Sequence, residues 1–386
     1  MIKIKSQIGK VKDEIITAED LKIQSDFNVD DLDSISKTAV LLTIAGYNEV
    51  DEIEIFGEDI SNIIEDYQKF LDCNLNFSAS PREFSISAKY SPNLKQNPSD
   101  KTNDLDYDVV LLFSGGIDSV AGLLYCLDNN KKVLPVWVDF GQGNQRKEKE
   151  IVEDIAKKLK IQLREINIDL KKFVAKGEKR WKNGIVPARN LMLLSLVQTL
   201  SKNGSSKPIE FFLCASKDEY KSKNNDKSPY FYNSLSTIFS RLANKEIKVT
   251  SPFLLYNKAE IMSYWKRCWD NKFGITIKDT ISCYEGNNCG KCKACCYRKI
   301  NCLASGCEDN KSIANPFKDE SGLLVKHYIK EFDNWGISRK VDFLIALEKE
   351  YDLLSQEIKD FYNFKQVKYK DLVNKRKEYL KEFVLK

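Results

Sequence analysis

The chain has 386 residues, of which 42% are hydrophobic and 30% charged, the composition of an ordinary soluble protein with room for two or three domains. No apolar run reaches the roughly 18 residues of a membrane span, and the N-terminus lacks a signal-peptide core, so we expect a cytoplasmic protein without membrane contact. Eleven cysteines then favour a metal site over disulfides, and the single histidine, His327, argues against a histidine base.

The net charge of +5 is unevenly distributed. Residues 1–105 carry 11 basic and 20 acidic side chains, a net of −9, whereas the remainder carries 50 and 36, a net of +14. A basic body suits an anionic substrate or an acidic partner, although a solvated lysine-rich surface explains it equally well. No segment matches a known nucleic-acid-binding module, so we do not expect a nucleic acid as the direct substrate.

Residues 1–105 are predicted to form a small α+β domain. Strand-like patterns occupy 1–5, 14–24, 52–56 and 84–90, and helix-like patterns occupy 31–45 and 59–71. The polar segment 91–104 contains two prolines and no periodicity, which indicates a linker.

From residue 106 to 307, strand-like and helix-like runs alternate, which indicates a parallel α/β sheet. Strands are predicted at 107–113, 132–140, 163–168, 209–215 and 247–250, with helices at 119–127, 145–160, 188–200, 230–242 and 259–269. The predicted fold class is α/β with a doubly wound parallel sheet, whose ligand lies where the strand order switches. Residues 308–386 are predicted as a C-terminal helical extension, with helices at 323–332, 340–351, 353–362 and 369–383.

The string Phe113-Ser114-Gly115-Gly116-Ile117-Asp118-Ser119 joins the first of these strands to its helix. Two glycines let backbone N–H groups approach an anion, and the helix N-terminus adds further unpaired N–H groups. Ser114 and Ser119 add hydroxyls, and Asp118 could cap the helix or help to hold Mg²⁺. An ordinary strand-to-helix turn is the alternative for a bare SGG. The full string is more specific, and it differs from the GxxxxGK[ST] P-loop.

Polar side chains also follow other predicted strands. Asp139, Gly141 and Gln142 close the second strand, where an Asp commonly holds a ribose hydroxyl, unless the segment is only a turn. Arg189 opens a buried helix and could bind a phosphate or join a structural ion pair. Lys217 precedes the polar loop 221–228, which could close over a site. Arg189 and Lys217 are therefore candidates for stabilising charge at a reacting phosphate.

Four cysteines have the spacing C-x5-C-x2-C-x2-C, which predicts one structural Zn²⁺ held by four thiolates: Cys283, Cys289, Cys292 and Cys295. An iron–sulfur cluster is the alternative. Three nearby cysteines could replace one ligand: Cys296, Cys302 and Cys307. The other cysteines in apolar runs are predicted to be core residues.

The chain contains an ordered set of motifs: SGGIDS, VDFGQ, VPARN, KAEI and SCY…CGKCxxC followed by Arg298. The set resembles the QueC family of 7-cyano-7-deazaguanine synthases. SGGIDS itself resembles the PP-loop of N-type ATP pyrophosphatases, which have a HUP-like (adenine nucleotide alpha hydrolase-like) fold. The resemblance spans 107–305 and implies ATP, Mg²⁺ and Zn²⁺ as ligands. It also implies that 7-carboxy-7-deazaguanine is activated as an acyl-adenylate and attacked by ammonia, before a second ATP-driven step forms the nitrile.

The chain departs from the family pattern in its two extensions and in one loop, which reads Asp226-Lys227-Ser228-Pro229 in place of the usual Asp-Cys-Arg-Pro. Enlarged QueC-like proteins of bacterial anti-phage operons (Qat and type IV CBASS) pass the activated deazaguanine to the N-terminal amine of a partner protein. The extensions resemble that branch, so we expect an operon-encoded protein partner. Ordinary nitrile synthesis, a non-catalytic PP-loop assembly subunit and a tRNA-modifying reaction stay open, as does a homodimer.

Overall fold

The structure, a computed structural model, describes residues 7–11, 14–17, 34–48, 52–57, 85–90, 107–140, 145–168, 170, 189–198, 207–219, 226–283, 288–309, 314–319 and 322–385. The predicted strand at 1–5, helix at 59–71 and linker at 91–104 lie outside these ranges. None of the helices within them combines the length and apolar character that crossing a bilayer requires.

A four-stranded mixed sheet forms near the N-terminus from β1 (Gln7–Val11), β2 (Glu14–Thr17), β3 (Glu52–Gly57) and β4 (Ser85–Tyr90). Its order is β2-β1-β3-β4, and only the β3–β4 pair is parallel. Helix α1 (Ser34–Asn48) lies between β2 and β3 in the chain. Strand β1 was not predicted, because QIGKV has two apolar residues and a glycine.

The second sheet contains β5 (Val109–Leu112), β6 (Val133–Asp139), β7 (Arg164–Asn167), β8 (Ile209–Phe212) and β9 (Ile247–Thr250). All neighbouring strands are parallel, in the order β7-β6-β5-β8-β9. The order therefore reverses between β5 and β8, where a doubly wound sheet opens its ligand crevice. The predicted five-stranded, doubly wound α/β fold is confirmed.

Each of these strands is followed by a helix: α2 (Ile117–Asp128), α3 (Gln145–Leu159), α4 (Arg189–Gln198), α5 (Pro229–Ala243) and α6 (Lys258–Tyr264). Val110 and Leu112 of β5 pack with α4 and α5, whereas Val109 and Leu111 pack with α2, α3 and α6. Helix α1 joins the α4 side, where the Ser36 hydroxyl donates to the Ser195 carbonyl at 2.7 Å.

The C-terminal part comprises α7 (Lys293–Ser305), a π-helical segment (Leu324–Ile329), α8 (Ile337–Lys349) and α9 (Gln356–Glu382). The prediction of two helices at 353–362 and 369–383 is wrong, because α9 is one helix of 27 residues. The intervening segment NFKQVK has neither glycine nor proline, so nothing in it ends a helix. Buried side chains of α7, α8 and α9 form one core.

Candidate active site and metal centre

The turn between β5 and α2 forms the base of the candidate site. Gly115 has φ +71°, and a Cβ there would lie 2.9 Å from Ile151 Cγ2, so this position requires glycine. Gly116 is the N-cap residue of α2, and no side chain among the described residues caps the helix. Asp118 is thus not the cap that the sequence allowed it to be. The N–H groups of the first turn are left for a ligand or solvent.

A cleft of about 250 Å³ opens beside this turn, at the carboxyl ends of β5, β6 and β8. Six predicted site residues line it: Phe113, Ser114, Gly116, Asp118, Ser119 and Arg189. It is also lined by residues that were not predicted as site residues, including Trp137, Phe140, Glu148, Asn190 and Lys227. The Ser119 hydroxyl donates to the Gly116 carbonyl at 3.1 Å and lies 3.4 Å from the Ser114 hydroxyl.

Asp118 forms an ion pair with Lys258, the first residue of α6. The Lys258 ammonium donates to Asp118 Oδ2 at 2.8 Å, and both side chains are largely buried. Burial raises the pKa of the Asp118 carboxyl, and Lys258 only partly offsets that effect. Asp118 Oδ1 is shielded from solvent and has no hydrogen-bond partner within the described residues. The carboxylate therefore keeps one oxygen that a bound cation or donor can satisfy.

A second ion pair joins Lys227 to Glu219 at 2.7 Å. Burial alone would raise the pKa of Glu219, but Lys227, Lys258 and the N–H of Ser216 lower it to about 2. Next to this pair, the Asn190 amide donates to Asp226 Oδ2 at 2.7 Å. The departure from the family loop thus places a lysine in the cleft, beside an aspartate that the loop shares with the family pattern and that contacts α4.

The remaining predicted residues lie apart from the cleft lining or outside the described ranges. Asp139 ends β6 at the same edge of the sheet, next to the lining residue Phe140. Lys217 is exposed on a 3₁₀ turn, and its N–H donates to the Tyr256 carbonyl at 2.8 Å. Gly141 and Gln142 are outside the described residues.

The four predicted cysteines come together, and their sulfur atoms all lie within 4.8 Å of one another: Cys283, Cys289, Cys292 and Cys295. Four sulfurs bound to one Zn²⁺ at about 2.3 Å would be about 3.8 Å apart, so this cluster needs little movement to hold the ion. Two of the thiols accept hydrogen bonds from the backbone. The Cys289 N–H donates to Cys283 Sγ at 3.4 Å, and the Cys295 N–H donates to Cys292 Sγ at 3.4 Å. The cluster could therefore bind zinc.

The other cysteines near the cluster have different neighbours. Cys296 is buried in the core of α7, α8 and α9, and Cys302 lies 3.9 Å from Asp309 Oδ2. The Cys307 thiol donates to the Met262 carbonyl at 3.3 Å. None of these three belongs to the cluster of four.

The cysteine cluster is tied to the β5–α2 turn. The Ile281 N–H, two residues before Cys283, donates to the Gly115 carbonyl at 2.9 Å. Arg298 on α7 is 2% exposed and pairs with Asp309 at 2.6 Å. It also donates to Thr280 Oγ1 at 2.7 Å. Arg298, which follows the cysteines in the sequence, thus acts as a structural link between α7 and the segment that meets the turn.

A model of the family described as queuosine biosynthesis protein QueC matches residues 108–304. The chain belongs to the QueC family. A 7-cyano-7-deazaguanine synthase of Picrophilus torridus is 30% identical over 247 residues, which cover 57% of this chain and 98% of that protein. The synthases of Archaeoglobus fulgidus and Clostridium botulinum (strain 657 / Type Ba4) are 31% and 28% identical, over 52% and 49% of this chain and 87% and 92% of their own lengths. The QueC match contains both the turn and the cysteine cluster, whereas α8 and α9 lie beyond it.

Proposed function

We propose that this chain is an ATP-dependent C–N ligase that adenylates 7-carboxy-7-deazaguanine and passes the acyl group to an amine, releasing pyrophosphate and AMP. The observation that carries the proposal is the β5–α2 turn at the strand-order switch, with a helix N-terminus that no described side chain caps, beside the Asp118–Lys258 pair. Such a turn is suited to bind phosphates. The relatives named 7-cyano-7-deazaguanine synthase support the choice of acid.

In the proposed first step, the substrate carboxylate attacks the α-phosphorus of ATP, and the bond to the pyrophosphate oxygen breaks. The N–H groups of the first turn of α2, with the Ser114 and Ser119 hydroxyls, hold the departing pyrophosphate. Arg189 stabilises charge at the α-phosphate from the cleft wall, and Lys217 is a second candidate for that role. Asp139, with Gly141 and Gln142, binds the ribose at the end of β6. The chain's contribution is positioning and charge neutralisation.

Mg²⁺ fits beside Asp118, because Oδ1, which has no partner among the described residues, offers the type of hard oxygen ligand that this ion prefers. When bound, Mg²⁺ would neutralise charge on the phosphates of ATP. Zn²⁺ fits the four-thiolate cluster as a structural ion, with no open position for chemistry. In that role it contributes to folding rather than to the reaction.

In the second step, an amine nitrogen attacks the acyl carbon, AMP leaves and the nitrogen loses a proton. We propose that the acceptor is the N-terminal α-amine of an operon-encoded partner protein in anti-phage defence. The α-amine has an unperturbed pKa near 8, so a useful neutral fraction exists at pH 7 without a strong base. Two features support this acceptor: the sequence outside the family match, with its acidic N-terminal part, and Lys227 in the altered loop of the cleft. Ammonia is the competing acceptor, and it agrees with the names of the relatives, 7-cyano-7-deazaguanine synthase.

The acceptor is tested by mass spectrometry of products formed from ATP, Mg²⁺ and 7-carboxy-7-deazaguanine. One reaction contains ammonium. In parallel reactions, each protein encoded beside this gene is added separately. We expect an adduct of the deazaguanine acyl group on the N-terminus of one partner and little free nitrile. A partner with a blocked N-terminus is the matched control. Efficient formation of the nitrile from ammonium, with no protein adduct, would reject the protein acceptor but keep the adenylation step.

A further inference from the structure

Helix α9, which lies beyond the family match, packs against the helix that carries Lys258. Ser263 on α6 donates its hydroxyl to the Leu380 carbonyl, and Arg267 just after α6 donates to the Phe383 carbonyl. Ala259, the residue after Lys258, belongs to the same core as the buried side chains of α9. The C-terminal extension therefore contacts the catalytic unit at the element next to the cleft.

Arg376 on α9 links three helices through one buried guanidinium. Its Nη1 donates to Glu260 Oε1 on α6 at 2.6 Å. Its Nε and Nη2 donate to the two carboxylate oxygens of Asp342 on α8 at 2.9 and 3.1 Å. All three side chains are at most 11% exposed. The planar fork of arginine fixes the direction of each contact, which a lysine ammonium does not.

Glu260 in turn fixes the first turn of α6. Its Oε2 accepts the Asn257 N–H at 2.9 Å, and Asn257 Oδ1 accepts the Glu260 N–H at 3.0 Å, which is a reciprocal capping box. Lys258 lies between these two residues and reaches Asp118 from this turn. The Arg376–Glu260 contact thus restrains the backbone from which Lys258 extends.

A second route reaches Lys258 from α8. The Arg339 guanidinium stacks on the Tyr297 ring at 5.2 Å, and the Tyr297 hydroxyl donates to Asp218 Oδ2 at 2.9 Å. The same oxygen accepts the N–H of Lys258 at 3.2 Å. Two chains of contacts from the extension therefore converge on Lys258, the ion-pair partner of the cleft residue Asp118.

We propose that the C-terminal extension positions Lys258, and through it Asp118, for nucleotide binding, with Arg376 as the positioning residue. The inference rests on the proposed ATP site. It gives the extension a role within this chain, independent of any partner protein. Arg376 contacts no cleft residue directly, so its effect passes through Glu260.

The test compares Arg376→Lys with two controls on α9. Lys377→Gln removes the neighbouring ion pair to Glu348 on α8. Val373→Ala removes two buried methyl groups from a side chain that cannot hydrogen-bond to Glu260. Two readouts are used: affinity for Mg²⁺ with the α,β-methylene analogue of ATP, by calorimetry, and backbone amide hydrogen exchange at 258–261. We expect Arg376→Lys to lower the affinity for the analogue by about 10- to 100-fold and to speed hydrogen exchange at these amides. Both controls should match the parent protein.

Glu260→Gln provides a second variant, because glutamine keeps the capping acceptor and loses the ionic contact with Arg376. It should reproduce both effects, and it decides the question if Arg376→Lys does not fold. Unchanged affinity and exchange in the variants, or equal losses in Val373→Ala, would overturn the positioning role. If the parent protein binds no ATP analogue, the proposed function fails, while the exchange comparison still decides whether Arg376 orders the turn.

Discussion

Replacing Asp118 with asparagine should lower ATP turnover by about 10²- to 10³-fold while the fold is kept. The carboxylate is the partner of Lys258 at 2.8 Å, and its second oxygen has no partner in the described part of the chain. Asparagine fills the same volume but removes the negative charge that pairs with Lys258 and would face Mg²⁺. Release of AMP and pyrophosphate, measured with the acid and its acceptor at saturation, reports the loss.

Asp128→Asn is the matched control for this variant. Asp128 ends the same helix, forms an ion pair with Lys272 and accepts the Trp269 indole N–H at 3.1 Å. Asp128→Asn therefore loses a carboxylate–lysine contact that is more exposed and lies away from the cleft, and its ATP turnover should stay near the parental value. Parental turnover by Asp118→Asn would show that the turn is not the nucleotide cradle.

Among the proposed substitutions, replacement of Cys292 by serine should cause the largest loss of folding stability. Apparent zinc-binding energies of about 10–16 kcal/mol in small zinc modules mean that losing one of four ligands removes much of this contribution. We expect the unfolding midpoint to fall by about 10 °C or more. Because the Ile281 N–H donates to the Gly115 carbonyl, local unfolding of the cysteine cluster should also disturb the β5–α2 turn. Activity would then fall as a consequence of local unfolding.

Cys307→Ser is the control, since serine keeps a donor for the Met262 carbonyl and Cys307 lies outside the cluster. Elemental analysis of the parent protein and of Cys307→Ser should give one zinc per chain, and the analysis of Cys292→Ser should give little or none. Iron in the purified parent protein, or a folded and active protein without metal, would contradict the structural zinc site.

The sheet was predictable because buried parallel strands are continuous apolar runs, and β5 shows this directly with four buried residues, VVLL. The cysteine cluster was predictable because its spacing places the ligands within one short segment. In contrast, α9 was divided into two predicted helices, because Phe364 and Val367 are exposed and interrupt its pattern of buried apolar residues, in a stretch that contains no residue to end a helix.

The partners of the site residues were not predictable in the same way. Asp118 and Lys258 are 140 positions apart, and KAEI has no local feature that marks Lys258 as the partner of a cleft residue. Lys227 directly precedes the Ser228 cap and Pro229 at the start of α5, and its ion partner is Glu219. Contacts of this kind depend on the assembled sheet, which brings the ends of separate strands together.

Pyrophosphate exchange tests the adenylation step most directly, because it requires neither the acceptor nor the identity of a partner. The zinc-loaded protein is incubated with ATP, Mg²⁺, labelled pyrophosphate and 7-carboxy-7-deazaguanine, and label in ATP is measured. Reversible formation of the acyl-adenylate predicts that label enters ATP only when the acid is present and that Asp118→Asn suppresses the exchange. Absence of exchange in the folded parent protein, or exchange that does not depend on the acid, would contradict adenylation of this substrate at the cleft.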